Sequence, residues 1–69
     1  MKQFIETKSA EDLQIGDIFQ HNNGVLWRVK DNTPDDILAI VTAEDCYRTK
    51  ERVFTFGGQV ELDVYTITL

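Results

Sequence analysis

Cys46 is the side chain best equipped for covalent chemistry in this 69-residue chain, with Asp45 and Tyr47 beside it and Arg48 two positions on. A nearby cation can lower a thiol pKa and make it a nucleophile. No local catalytic motif accompanies it, so Cys46 reads as a surface or half-buried cysteine. His21 is the only histidine. Without a second histidine or a cysteine pair to complete a ligand set, its ring reads as facing water beside a turn rather than holding a metal. Ser9, the only serine, is accounted for by a helix-cap role. The residues imply no catalytic set, no metal, no phosphate loop and no cofactor, so the chain reads as a non-enzyme.

The charged residues are more informative. Asp31, Asp35 and Asp36 surround one turn, and Glu44 and Asp45 open the next loop, at the opposite end of the apolar run between them. Their spacing lacks the ligand series of a calcium loop. They read as solvated turn residues forming an acidic rim, which can attract a basic partner protein and speed the encounter. Tyr47, Arg48, Lys50 and Arg52 form the one basic cluster. If a strand begins early there, alternation puts its cations on one side as a stripe for phosphates or RNA bases. Glu44, Asp45 and Glu51 weaken that stripe, and a net charge of −5 opposes general nucleic-acid binding. A small regulatory or inhibitory accessory protein that binds a protein partner through its acidic turns or an exposed sheet edge is the leading expectation, and nucleic-acid binding the alternative. Trp27 reads as core.

These residues must be positioned by a single small domain, residues 1–69. Hydrophobic residues make up 42% of the chain and charged ones 28%, a globular balance. So short a chain buries only about 60% of its unfolded surface, which favours a simple architecture such as a small closed sheet. No apolar run reaches the length that spans a bilayer, and Met1 to Lys8 lacks the apolar stretch of a signal peptide. A lone cysteine suits a reducing compartment, so a cytoplasmic location is expected, with a monomer or weak homo-oligomer.

Lys2 to Thr7 alternates weakly and reads as an opening strand or arm. Ser9-Ala10-Glu11-Asp12 resembles a capping box and predicts one helical turn through Leu13, ended by Gly16. Asp17 to Gln20 and Val25 to Lys30 form a hairpin across Asn22, Asn23 and Gly24, with Gly24 left-handed. That loop length places His21 opposite Val25 and Phe19 opposite Trp27. Val25, Trp27 and Val29 then share the inner face, and Leu26, Arg28 and Lys30 the outer. Asn32 to Asp36 reads as a turn cluster, since Pro34 cannot donate to a ladder. Ile37 to Ala43, nearly all apolar, predicts a strand buried on both faces, at the sheet's centre or beneath a partner. Arg52 to Phe56 is a further strand. In Gln59 to Leu69 the apolar phase shifts at Tyr65, which predicts a bulge.

The string DLQIGDIFQHNNGVLWRV, with Gly16 and Asp17 before an apolar strand, Asn23 and Gly24 at the turn, and Trp27-Arg28-Val29 after it, resembles the opening hairpin of SH3-like small barrels. It is most similar to the KOW-like N-terminal domain of elongation factor P. The resemblance covers about a quarter of the chain and implies a barrel. That family's lysine-bearing, glycine-rich loop is replaced here by Asn32 to Asp36, so its role in translation is not implied. In format, a short acidic single domain, the chain also resembles many small phage-encoded proteins. The expected fold is all-β: one SH3-like barrel of about five strongly bent antiparallel strands, with at most one short helical turn near residues 9–13.

Overall fold

The inward-facing apolar residues dictate the architecture seen in a computed structural model, which describes residues 1–21 and 24–67. Asn22, Asn23 and Leu69 lie outside the described residues. The fold is all-β, with one 3-10 turn at Ala10–Asp12 and six antiparallel strands: β1 Lys2–Ser9, β2 Ile18–His21, β3 Val25–Pro34, β4 Leu38–Asp45, β5 Glu51–Gly57 and β6 Glu61–Ile67. They form one sheet in the order β1-β6-β2-β3-β4-β5. The extra strand is the opening segment, which pairs fully with β6. No helix among the described residues is long and apolar enough to cross a membrane.

The sheet coils strongly without closing. Phe19 of β2 meets Phe54 and Phe56 of β5 edge-on, at 5.4 and 5.9 Å between ring centroids, although β3 and β4 intervene in the ladder. Trp27 joins them at 5.0 Å from Phe54. Around these rings pack Ala10, Leu13, Val29, Ala39, Val41, Ala43, Leu62 and Val64, all buried. The result is barrel-like, with β1 and β5 left as edges.

The hairpin has the expected register, Phe19 opposite Trp27 and His21 opposite Val25. Gly24 has φ +77°, a backbone conformation that favours glycine over residues with a Cβ. Gly16, at φ +97°, ends the turn before β2. Leu26 departs from expectation: it is buried, as is Ile18, on the face away from the main core. Ile18 pairs with Tyr65, whose ring packs on Phe4, so this part of the sheet has a second small apolar layer.

The capping box does not form; Ser9 makes no side-chain bond to the turn. The turn's first amides already have partners, with Ala10 N donating to Val60 O (2.8 Å) and Glu11 N to Gly58 O (3.0 Å). The expected bulge in β6 lies instead across the ladder, in β1 between Phe4 and Glu6. β6 itself alternates regularly. Leu62 and Val64 face the core, while Tyr65 serves the second layer.

β3 runs on to Pro34, through three residues expected in a turn. A bulge between Val29 and Asp31 permits this by rotating Asn32 inward, opposite the buried Val41. Pro34 is tolerated because amides alternate along a strand. Asp35 N points to β4, donating to Leu38 O, so the Pro34 nitrogen faces the other side, where the ladder with β2 ends at Arg28 and Val29 makes its bonds to Gly16 and Asp17. Asn32 then clamps the 3-10 turn, its Nδ2 donating to Ala10 O at 3.0 Å and Leu13 O at 2.9 Å.

Asn32→Ala would leave both carbonyls without that donor and should cost about 1–3 kcal/mol, the usual penalty for stranding buried polar groups. Asn32→Asp should cost more, because it sets a carboxylate against two carbonyl oxygens. Urea unfolding of the three proteins checks this; an alanine variant as stable as the parent would show the clamp to be idle.

Candidate functional site

The acidic residues singled out in the sequence do not act as one group. Asp35 builds its own turn: Oδ1 accepts from Ile37 N at 2.8 Å and Leu38 N at 2.7 Å. Asp45 does the same at the far end of β4, accepting from Tyr47 N (2.8 Å) and Arg48 N (3.2 Å). Glu44 pairs with Lys30 at 3.4 Å. Asp31 and Asp36 remain exposed, one on β3 and one in the β3–β4 turn. An eight-residue strand separates the two turns by roughly 20 Å.

The basic residues gather in a turn rather than a strand stripe. β5 begins at Glu51, and Thr49, at φ 55°, breaks the alternation that would align Arg48 with Lys50 and Arg52. Arg52 alone is on the strand, its guanidinium carbon 4.9 Å from the Phe54 ring centroid. Tyr47 is 68% exposed at the tip of the turn.

Cys46 is half-buried beneath this turn, its N–H donating to Leu26 O at 3.0 Å. Burial pushes its thiol above the ordinary range. Arg28 opposes that shift, while Asp45 and Glu44 reinforce it. The thiol is thus held protonated, the reverse of activation. His21 is half-buried rather than fully solvated, its ring edge-on to Phe54 (5.1 Å) and Phe56 (5.4 Å) at the mouth of the core. Trp27 is buried, as expected. No three His, Cys, Asp or Glu side chains converge as a metal site among the described residues.

A cleft that sequence order hides lies where three segments meet. The β3–β4 turn, the 3-10 turn and the β5–β6 turn are tied together by Gly58 N donating to Ile37 O (2.8 Å) and Glu11 N donating to Gly58 O (3.0 Å). The cleft between them is lined by Glu11, Asp36, Ile37, Gly58 and Val60. Gly58 forms its floor, where an added Cβ would stand 2.9 Å from Glu11 Oε2 and push that carboxylate aside. Ile37 is 77% exposed and Val60 45%. Ion pairs formed among the described residues are Lys8–Asp17 and Lys30–Glu44, so neither Glu11 nor Asp36 is neutralised. The cleft therefore offers aliphatic surface between two carboxylates that form no ion pair among the described residues.

β4 corrects a further expectation. Ala39, Val41 and Ala43 are fully buried, but Ile37, Leu38 and Ile40 are exposed. Coiling covers only the concave face of β4; its convex face is open. Comparison with protein-family models, curated proteins and solved structures returned no match to this chain. What the surface can do rests on its geometry alone.

The Asp35 turn has a pH signature. Bonds from Leu38 N and Ile37 N hold its carboxyl below the ordinary carboxylate range. A depressed folded-state pKa contributes stability that is present above the unfolded value, 3.8, and is lost as pH falls through the folded one. Asp35→Asn should therefore flatten the acid side of the stability–pH curve below about pH 4 relative to the parent. Thermal melts across that range measure it, and parallel curves would assign the acid loss to other carboxylates.

Proposed function

We propose that this chain is a non-catalytic protein-interaction module, a small regulatory or inhibitory accessory protein of the cytoplasm, whose acidic cleft takes a basic segment of a partner protein. The observation that carries the reading is Ile37, a large aliphatic side chain held 77% exposed next to Asp36 and facing Glu11 across the cleft. An exposed aliphatic group with unpaired carboxylates around it suits a lysine or arginine, whose methylene stem can lie on Ile37 and Val60 while its charged head meets Glu11 or Asp36. The role assigned to Asp31, Asp35, Asp36, Glu44 and Asp45 together contracts to Asp36, joined by Glu11. The protonated, half-buried Cys46 also favours binding over covalent catalysis.

A second reading keeps nucleic acid as the partner. It is favoured by Tyr47, Arg48, Lys50 and Arg52, all exposed, at the end of β4 opposite the cleft. An exposed tyrosine among cations is a stacking and phosphate-binding combination.

Capture from a cytoplasmic extract, with and without nuclease, separates the two. A nuclease-resistant protein partner should be retained, and Glu11→Lys, Asp36→Lys or Ile37→Ser should each weaken it by about tenfold, the loss of one anchor of about 1.4 kcal/mol. Arg48, Lys50 and Arg52 changed together to alanine should leave that partner bound. Loss of binding on nuclease treatment and in the alanine variant would transfer the function to nucleic acid.

A further inference from the structure

The two edges of the sheet are not equivalent. β1 is interrupted by its bulge between Phe4 and Glu6 and carries Lys2, Glu6 and Lys8 along its length, devices that discourage pairing with another chain. β5 has no such device at its centre. Its register with β4 is unbroken from Leu38–Gly57 to Glu44–Glu51, and among the described residues it pairs with no other strand.

The hydrogen-bond phase shows which backbone groups are unused. Gly58 N donates to Ile37 O and Asp45 N to Lys50 O, pairs that fix the alternation of the β4–β5 ladder. Arg52, Phe54 and Phe56 therefore turn their amides and carbonyls toward β4, and Glu51, Val53 and Thr55 turn theirs off the sheet. Val53 is also 61% exposed on the convex face, opposite Thr42 and diagonal to the exposed Ile40, with Leu38 further along β4 on the same face.

We propose that a second copy of this chain adds to the β5 edge, forming an antiparallel dimer about a two-fold axis at Val53. The charges rule out two neighbouring registers, and the exposed Val53 favours this one over centres at Phe54 or Thr55, which would set that valine opposite Thr55 or Gly57. Edge groups can pair only when odd residues face odd residues. Centring the pair on Glu51 or Arg52 sets like charges directly opposite each other, which destabilises a ladder. Centring it on Val53 sets Val53 against Val53, Glu51 against Thr55, and Arg52 against Phe54. The exposed aliphatic residues of both β4–β5 hairpins then form one continuous convex strip. So short a contact falls below about 1,200 Å², the range of weak, reversible association.

Sedimentation velocity of the full chain from about 10 μM to about 1 mM, a range suited to such weak contacts, tests the proposal. Dimer should accumulate with concentration, and Val53→Lys should weaken it tenfold or more without changing the melting temperature. Val53→Pro should do the same, because the amide it removes points away from β4. Ile37→Ser should leave the dimer intact, which separates this edge from the acidic cleft. A monomer throughout the range overturns the proposal. So does a dimer indifferent to Val53→Lys and abolished by Ile37→Ser or Ile5→Lys.

Discussion

Phe19 is fully buried where β2 faces β5, and the edge-on packing of its ring against Phe54 and Phe56 is the contact on which the remainder of the molecule depends. Strands with two others between them in a ladder meet only if the sheet bends sharply. Phe54 and Phe56 lie on the same side of β5 and stack nearly parallel, at 7°, presenting a flat aromatic wall to Phe19, His21 and Trp27. Bending the sheet around that wall gives it a small concave core and a large convex exterior. It also draws the β5–β6 turn up against the 3-10 turn, which creates the cleft beside Ile37.

The sequence revealed local structure more readily than long-range structure. The β2–β3 hairpin was legible because an Asn-Asn-Gly loop and the alternation of Phe19, Trp27 and Val29 independently demand one register. The all-β class was legible for the same reason, from short alternating runs between turns. The extension of β3 was hidden because Pro34 and Asn32 are turn formers by type, and only an unpaired strand side and a bulge at Lys30 make them strand residues. The cleft was hidden more completely. Glu11, Asp36 and Val60 are separated by more than twenty residues each, and no local pattern unites them; the paired glycines 57 and 58 were the sole hint that two backbones approach closely there. For β4, an apolar run was read as two-sided burial, yet such a run is equally compatible with one open face.

Several side chains that looked available for binding turn out to hold the turns in shape. Asp35 and Asp45 cap the turns at the two ends of β4 with the same geometry, each carboxylate accepting two backbone amides ahead of it. Asn32 does comparable work by reaching across to the 3-10 turn. Its Oδ1 is buried without a partner, yet flipping the amide would set oxygen against the carbonyls of Ala10 and Leu13, so the geometry fixes the orientation. Once these polar groups are assigned to structure, the unassigned ones stand out by contrast.

The pairing of β1 with β6 joins Lys2 to Ile67, the widest span of sequence in any ladder among the described residues. Strands β2 to β5 are neighbours in both sequence and space, so this meander can assemble from local contacts. β1, by contrast, must wait for β6 and for a large loop to close. During synthesis on a ribosome, Phe4 and Ile5 would leave the tunnel long before β6, the strand their own strand pairs with. The bulge and charges that blunt β1 thus also act in time, keeping an orphan strand from pairing wrongly before its own neighbour exists.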